Sequence, residues 1–156
     1  IVADVADGSG TVHHDPHRIS PRITLVHGAP NSHVPHPALL TPQTIDIEPE
    51  NIEVRAPIPL QYAALNRLNH VTADPGDAWI GIVSSGITYR EVREALRSLG
   101  LESTADIEAV GIRMLKMGMP IPFNHSTVRS FAEGVEQVLV IEEKNPNVES
   151  LVKVAL

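Results

Sequence analysis

The sequence has no cysteine among its 156 residues, and this absence excludes several kinds of chemistry. Without a thiol, the chain forms no disulfide bond, has no thiolate nucleophile and provides no cysteine ligand for an iron–sulfur cluster. Cysteine usage therefore gives no indication of the redox compartment. Aromatic residues are also scarce, at 3%, so the core is expected to consist of the aliphatic and β-branched residues that are typical of α/β proteins.

Positive charge and long apolar runs are lacking as well. The formal net charge is −7, so the chain has no basic character and nucleic acid is not expected as a partner. No apolar run reaches the roughly 18 residues of a membrane helix and no signal-peptide pattern is present, so we expect no membrane partner and a cytoplasmic location. The chain begins without Met and ends within a helical pattern, as expected of a piece of a longer protein.

The beginning of the chain is rich in proline, which predicts an extended arm. Eight of the 13 prolines lie before residue 58, too closely spaced for a helix of ordinary length. A short strand is predicted over 22–27, and a pair of extended segments is predicted from the alternation of Ile45, Ile47, Ile52 and Val54. We therefore expect residues 1–57 to form an extended Pro/His-rich arm or interdomain linker, and residues 58–156 to form a folded domain.

Six of the eight histidines lie in this arm, and imidazole is a common ligand of zinc and nickel. They include two clusters, His13, His14 and His17 in the first and His33 with His36 in the second. The alternative is that these are solvated side chains without a metal. This alternative is favoured because Pro16 and Pro35 interrupt both clusters and no cysteine completes a ligand set. We predict no metal site.

The clearest pattern in the sequence is a strand followed by a helix. Ala78 to Val83 is an unbroken apolar run, which indicates a strand buried on both faces. Beyond it, apolar residues recur at three- and four-residue spacing, which predicts an amphipathic helix. Thr88 and Glu91 are predicted to form its capping box, and Gly100 to end it. Trp79, the only tryptophan, is expected to be largely buried or to lie at a domain interface.

The rest of the chain from Pro59 onwards alternates between the two kinds of pattern. This alternation predicts a three-layer α/β/α domain with a mainly parallel sheet and right-handed crossovers. The other predicted elements are a helix from 59 to about 70, a turn over 72–77, a β-rich segment over 107–115, a helix around 128–135 capped by Asn124 or Ser126, a strand at 138–141, and a helix with Asn145 as N-cap and Pro146 as its first residue.

Candidate site residues are sought where strands end, because open α/β sheets bind ligands at the carboxyl ends of their strands. The segment from Gly81 to Thr88 nearly matches a phosphate-binding loop, but Ile87 replaces its lysine. A free helix N-terminus can still bind an anion through its N–H groups. Ser85, Gly86 and Thr88 are therefore the candidate residues of a small-anion-binding regulatory module. The alternative is that Thr88 only caps the helix.

The other two strand ends offer no catalytic set. Met117 and Met119 with a proline turn indicate a packed corner or a partner surface. Glu142 and Glu143 are adjacent, so on a continuing strand they point to opposite faces and form no acid–base pair. One of them is expected to hydrogen-bond the N-terminus of a neighbouring helix. We predict no catalytic residue in this chain.

Three ordered segments, WIGIVSSGITYREVREALRSLGL, VGIRMLKMGMPIP and FAEGVEQVLVIEEK, resemble one enzyme family. The resemblance is to the second domain of indolepyruvate ferredoxin oxidoreductase in its large fused form, within the 2-oxoacid:ferredoxin oxidoreductase family. More loosely, the segments resemble the transketolase C-terminal domain. The resemblance covers about Tyr62 to Leu156. The positions that carry it are Gly81, Gly86, Tyr89, Val92, Ala95, Leu96, Gly111, Arg113, Lys116, Gly118 and Pro122.

This resemblance implies a parent enzyme that oxidatively decarboxylates aryl pyruvates to acyl-CoA and passes electrons to ferredoxin. It places thiamine diphosphate between a pyrimidine-binding and a pyrophosphate-binding domain, with Mg2+ and [4Fe-4S] clusters also elsewhere in the parent. The expected partners are those two domains, with ferredoxin and coenzyme A as partners of the whole enzyme, which is expected to be a homo-oligomer. The present chain is then expected to be an inactive structural and interface domain with no cofactor-binding residue.

Overall fold

The structure is a computed structural model, and it describes residues 10–34 and 40–156. Its strands are β1 (Leu25–Val26), β2 (Ala29–Pro30), β3 (Asn69–Ala73), β4 (Ile80–Ser85), β5 (Ile112–Met117) and β6 (Gln137–Ile141). Its helices are α1 (Gln43–Pro49), α2 (Pro57–Leu65), α3 (Gly86–Ser98), α4 (Thr104–Ala109), α5 (His125–Ala132) and α6 (Asn147–Ala155), with a π-helical segment (Glu50–Arg55) between α1 and α2.

Strands β3 to β6 form one sheet in the order β3-β5-β4-β6. The central strand β4 pairs in parallel with both neighbours, so that Val83 lies opposite Leu115 of β5 and Val140 of β6. Strand β3 is antiparallel to β5 and forms one edge of the sheet. The predicted mainly parallel sheet is therefore confirmed.

The sheet is covered by helices on both faces. Because successive side chains of a strand point to opposite faces, Val83 and Ile82 belong to different core clusters. Val83 packs with residues of α5 and α6, including Phe131 and Val152. Ile82 packs with α3 and α4, including Leu96. This is the predicted three-layer α/β/α arrangement, and it explains the unbroken apolar run in β4.

Two of the predicted helix ends are confirmed. The Asn124 side chain accepts a hydrogen bond from the Thr127 N–H at the start of α5. Gly100 follows α3 with a φ of +88°, and its N–H donates to the Arg97 carbonyl at 2.9 Å. This is the left-handed conformation that glycine adopts at low cost.

The predicted capping box at Thr88 is wrong, because α3 begins earlier, with Ser85 as its N-cap. A capping box forms instead at the start of α4. Ser103 Oγ accepts from the Asp106 N–H, and the Asp106 carboxylate accepts from the Ser103 N–H at 2.8 Å and from its hydroxyl at 2.7 Å. These hydrogen bonds, the one from the backbone first, hold the pKa of Asp106 below its ordinary value.

Strand β3 and helix α4 depart from the sequence prediction. The helix expected to reach residue 70 ends at Leu65, and the turn expected over 72–77 overlaps the end of β3. Leu68 continues the helical spacing, but its N–H donates to the Ala63 carbonyl as the chain leaves the helix. Residues 107–109 belong to α4 and not to a strand, because Ile107 is buried against the sheet from the helical layer.

The arm is partly helical, so the pair of extended segments predicted over 45–54 is wrong. Residues 43–55 form α1 and the π-helical segment. Pro49 lacks the N–H that an α-helix would pair with residue 45, and the wider turns begin directly after it. The strand predicted over 22–27 is limited to Leu25–Val26, in a hairpin whose turn places His27 and Gly28 at positive φ.

Two hydrogen bonds attach the arm to the end of α2. The Arg22 N–H donates to Asn66 Oδ1 at 2.7 Å, and Asn66 Nδ2 donates to the Arg22 carbonyl at 2.9 Å. Thr24, adjacent to the same segment, is 5% exposed. Residues 22–24 therefore pack against the domain, while the division of the chain at 57/58 stays a prediction.

Trp79 is 47% exposed, so the expected burial of this side chain is wrong within the described part of the chain. The residue precedes β4, at the end of the sheet opposite to Ser85. Its indole N–H donates to the Val110 carbonyl at 2.8 Å, and its ring contacts Gly111 so closely that a Cβ at that position would lie 2.6 Å from Trp79 Cδ1. Whether the open side of the ring lies at a domain interface stays a prediction.

In the two ranges that the structure describes, we find no helix with both the length and the apolar character needed to cross a membrane.

Gly81 tests how tightly the central strand is packed. A Cβ added at Gly81 would lie 2.7 Å from Cζ of Phe131, a side chain that is only 2% exposed. We expect Gly81→Ala to lower the free energy of unfolding by about 1–3 kcal/mol, because the buried ring must move. Urea denaturation measures this change. Gly76→Ala is the control, since nothing lies within 4 Å of its Cβ position, and equal midpoints for the two variants would contradict the prediction.

Candidate functional site

The carboxyl ends of the three parallel strands meet at one edge of the sheet, where Ser84, Lys116 and Ile141 form a row. Ser84 of β4 lies opposite Lys116 of β5 on one side and Ile141 of β6 on the other. Two residues earlier in their strands, Ile82 and Met114 pack in the cluster with α3. By strand alternation, Ser84 and Lys116 therefore face α3, on neighbouring strands about 4.8 Å apart.

Ser84 is a buried hydroxyl without a partner. It is 2% exposed, and its Oγ makes no hydrogen bond within residues 10–34 and 40–156. Leaving a buried polar group unpaired costs about 1–3 kcal/mol, so most proteins avoid it. The Ser84 hydroxyl can therefore still donate and accept a hydrogen bond.

Lys116 carries a positive charge on the neighbouring strand, on the same face of the sheet as Ser84. The Lys116 Nζ lies 5.2 Å from the centroid of the Tyr89 ring, a distance at which the cation is attracted to the ring face. None of the ion pairs found in the described ranges includes Lys116. The ammonium therefore lies near the first turn of α3. Both the ammonium and the N-terminus of a helix attract negative charge.

The structure separates the three residues predicted to form an anion site. Ser85 is the N-cap of α3, in extended conformation and without a side-chain hydrogen bond to the helix. Gly86 is the exposed first residue of α3, with a φ of +57°. Thr88 is buried, at 5% exposed, whereas Ser85 is only partly buried. That these residues bind an anion stays a prediction.

Ser84 and Lys116 were missed as site residues. Lys116 belongs to the sequence motif, but nothing in the motif pairs it with β4. Strand register would have found them, because Ser84 lies two residues after the core residue Ile82 and Lys116 lies two residues after the core residue Met114. That register cannot be read from either strand alone.

A second polar group of side chains surrounds Arg113, at a cavity of about 640 Å³ between β3 and α5. Arg113 Nε donates to Asp74 Oδ1 at 2.7 Å, and Nη1 donates to the carbonyls of Phe131 at 2.9 Å and Glu133 at 2.7 Å. The last two carbonyls lie at the end of α5, where a positive charge is stabilising. With a further bond from Nη2 to the Pro75 carbonyl at 3.4 Å, most of the N–H donors of this guanidinium are engaged, and it clamps β5 to α5.

The carboxylate of Glu142 caps α6. Its two oxygens accept hydrogen bonds from the N–H groups of Val148 at 2.8 Å and Glu149 at 3.0 Å. This confirms that a carboxylate at the end of β6 binds a neighbouring helix N-terminus. The predicted helix start is shifted by one residue, since Pro146 is the N-cap and α6 begins at Asn147. Asn145 does not cap the helix because Glu142 has taken that role.

The methionine corner after β5 is packed. Met117 is 1% exposed, and the Asn69 side chain accepts from the Met119 N–H and donates to the Met119 carbonyl, both at 2.9 Å. Gly118 lies between them, where a Cβ would meet the Leu68 carbonyl oxygen at 2.6 Å. Of the two interpretations of this segment, the packed corner agrees with these contacts.

The histidines of the arm do not converge in the described ranges. His13, His14 and His17 are exposed, and His33 Nδ1 lies 3.1 Å from Glu50 Oε1, while His36 falls outside these ranges. We find no group of three or more His, Cys, Asp or Glu side chains placed to hold a metal ion in residues 10–34 and 40–156. The donor set also does not fit an iron–sulfur cluster, because the sequence has no thiolate.

Comparison with known proteins identifies relatives of this chain. The sequence profile described as "Indolepyruvate oxidoreductase domain" matches residues 70–156, more than half of the chain. The indolepyruvate oxidoreductase subunit IorA of Pyrococcus abyssi is 39% identical over 80 residues, which cover 51% of this chain and 11% of that protein. IorA of Methanothermobacter thermautotrophicus is 37% identical over 84 residues, covering 54% and 12%.

A solved structure shares the fold. It is a 2-oxoglutarate:ferredoxin oxidoreductase from Magnetococcus marinus, solved with 2-oxoglutarate, coenzyme A and succinyl-CoA bound. The match has a TM-score of 0.56 at 19% identity and covers 82% of this chain and 20% of the other. The architecture is consistent with a transketolase C-terminal-like fold, as predicted. The present chain spans only about a ninth of the length of the IorA relatives.

Glu142 and its neighbour provide a matched test of the helix cap. We expect Glu142→Ala to lower the free energy of unfolding by about 1 kcal/mol, because two N–H groups of α6 lose their acceptor. Thermal or urea denaturation measures the loss. Glu143→Ala is the control, since Glu143 is exposed and makes no side-chain hydrogen bond in the described ranges. If both variants unfold at the same midpoint, Glu142 does not stabilise α6.

Proposed function

The chain belongs to the indolepyruvate oxidoreductase domain family, and we propose that it is a non-catalytic structural and interface domain of a thiamine-diphosphate-dependent 2-oxoacid:ferredoxin oxidoreductase. The match over residues 70–156 carries this proposal. Its parent would oxidatively decarboxylate an aryl pyruvate such as indolepyruvate, form an acyl-CoA and pass electrons to ferredoxin. The match is to IorA relatives several times longer than this chain, so the chemistry is assigned to the parent.

The polar side chains at the strand ends support a structural role. Arg113 ties β5 to the end of α5, Glu142 caps α6, and Asn69 fixes the turn after β5. A catalytic acid or base needs a free proton site within reach of the substrate. In these three residues most of the hydrogen-bonding groups are already used to hold helices and turns against the sheet.

The proposed cofactors belong to other parts of the parent. Iron–sulfur clusters need thiolates, and this chain has none. Thiamine diphosphate and Mg2+ are assigned to the neighbouring pyrimidine- and pyrophosphate-binding domains, which are also the proposed partners. The parent would be a cytoplasmic homo-oligomer, with ferredoxin and coenzyme A as partners of the whole enzyme.

A small-anion-binding role is a second candidate, favoured by the unpaired Ser84 hydroxyl and the Lys116 ammonium. These two groups lie near the N-terminus of α3, where Ser85 is partly exposed and Gly86 is exposed. Backbone N–H groups, a cation and a hydroxyl together suit a phosphate or carboxylate. This role is compatible with a structural domain, since an anion bound there would stabilise the first turn of α3.

Turnover by the full-length parent tests the first proposal. We expect the full-length protein, supplied with thiamine diphosphate, coenzyme A and ferredoxin or a dye acceptor, to oxidise indolepyruvate. The 156-residue chain under the same conditions should show no turnover above the blank. Absence of activity in the parent with any of several 2-oxo acids would contradict the assignment of the reaction. Activity of the chain alone would contradict its non-catalytic role.

Phosphate binding tests the second proposal. We expect Lys116→Ala to weaken binding of inorganic phosphate about tenfold, equivalent to about 1.4 kcal/mol, as measured by calorimetric titration. Ser84→Ala should also weaken binding without lowering stability, because the lost hydroxyl has no partner to leave unpaired. Lys144→Ala is the control, since this exposed lysine lies in the loop before α6. Identical phosphate affinity in all three variants and wild type would refute the anion site.

A further inference from the structure

A histidine extends the row of side chains at the carboxyl ends of the parallel strands. His70 of β3 lies opposite Lys116 of β5, and Lys116 lies opposite Ser84 of β4 on its other side. Val71, the next residue of β3, packs in the core cluster under α5 and α6, so the His70 side chain is directed to the opposite face, which α3 and α4 cover. Ser84, Lys116 and His70 therefore share one face across three adjacent strands.

Two groups of this row are buried and have no hydrogen-bond partner. In residues 10–34 and 40–156, the buried side-chain nitrogen and oxygen atoms without a partner are His70 Nδ1, Ser84 Oγ and His125 Nδ1. The first two flank Lys116, one on each neighbouring strand. Since folded proteins pair nearly all of their buried polar groups, two unpaired groups on either side of one cation indicate a ligand that contacts both.

Lys116 gives this part of the face a positive charge. Its Nζ lies 5.2 Å from the centre of the Tyr89 ring, and none of the ion pairs in the part of the chain that the structure describes includes it. Helix α4 packs on the same face, and its acidic residues, Asp106 and Glu108, accept hydrogen bonds from backbone N–H groups outside the row. The charge of Lys116 is therefore available to an anion.

The chemistry of the three groups favours phosphate over carboxylate. A serine hydroxyl, an ammonium and an imidazole N–H are all hydrogen-bond donors, so together they suit an anion. They come from three strands spaced about 4.8 Å apart, which places the donors on several sides of a bound group. A phosphate group presents acceptor oxygens in several directions, whereas a carboxylate has its oxygens in one plane. On the β6 side the row ends at Ile141, which packs against the apolar core.

We propose that His70 is the third side chain of the anion site and that the ligand is a phosphate group, which accepts hydrogen bonds from Ser84 Oγ, Lys116 Nζ and His70 Nδ1. This inference rests on the small-anion-binding role proposed above, and it adds to that role a ligand residue and a ligand class. Strand β5 lies between β3 and β4. A phosphate in this position therefore links the edge strand β3 to the central strand of the sheet.

Three small anions test the ligand class. We expect calorimetric titration of the protein to show at least about tenfold tighter binding of inorganic phosphate than of acetate. Glycerol phosphate, titrated in the same way, distinguishes a phosphate ester from free phosphate, since the compound that binds more tightly identifies the form that the site takes. Equal affinities for phosphate and acetate would overturn the phosphate assignment, and so would binding of neither phosphate compound.

Substitutions at His70 test its contact with the ligand. His70→Phe keeps a ring of similar size but removes the nitrogen, so we expect phosphate to bind about tenfold more weakly. His70→Asn should bind phosphate within about threefold of wild type, because the amide nitrogen of asparagine can take the place of Nδ1. His125→Phe is the control and should leave the affinity unchanged. Its Nδ1 is also unpaired within the described ranges, but its ring contacts Phe123 on the other face of the sheet. Equal affinity of His70→Phe and wild type, or equally weak binding by the two His70 variants, would contradict the assigned role.

The ring nitrogens of His70 give a readout that needs no substitution. In nitrogen NMR spectra of the protein, we expect added phosphate to shift the Nδ1 resonance of His70 and to leave that of His125 in place. Phosphate binding that leaves His70 unshifted would overturn this inference while the site at Ser84 and Lys116 stands. If the wild-type protein binds no phosphate, both fail. Neither measurement uses turnover, so the proposed reaction of the parent is tested separately.

Discussion

The whole domain depends on the burial of β4 on both faces. Val83 is fully buried under α5 and α6, and Ile82 is 6% exposed under α3 and α4. A strand in this position has no face available for polar side chains except at its ends. The helices on both sides must approach closely, which is why Gly81, with no side chain, lies under the Phe131 ring. The polar side chains of β4 are thereby confined to the end of the strand.

The polar groups at the carboxyl ends of the strands fall into two kinds. Some are occupied: the two carboxylate oxygens of Glu142 cap α6, and the Asn69 amide is bonded to the Met119 backbone after β5. Ser84 and Lys116 are different, because the first is an unpartnered buried hydroxyl and the second contacts an aromatic ring instead of a carboxylate. The distinction separates groups that hold the domain together from groups that remain able to bind something else. The proposed anion site relies on groups of the second kind, so it is compatible with a structural role for the rest of the domain.

The sequence pattern predicted the central strand β4 and the edge strand β6 well and the other edge strand, β3, poorly. β4 and α3 were predictable because a strand buried on both faces is a continuous apolar run and the helix beside it has one apolar face. β3 was not, because only Val71 and Ala73 of this edge strand reach the core, and Leu68 extends the helical spacing into it. In the arm, the alternation of Ile45 and Ile47 indicated strand, but local helical hydrogen bonds decide the conformation where few tertiary contacts exist. Of the site, only residues adjacent in sequence could be found, since the pairing of Ser84 with Lys116 is set by strand register.

The position of Trp79 has an optical consequence. It is the only tryptophan in the 156 residues, so the long-wavelength emission of this chain comes from a single indole. That indole is anchored by its N–H to Val110 and leaves part of its ring open to solvent at the amino end of β4. The fluorescence of the chain therefore senses polarity at one known position of the surface, far from Lys116. A neighbour that packs onto this end of the sheet would shift the emission to the blue, whereas an anion at the carboxyl edge would leave it unchanged.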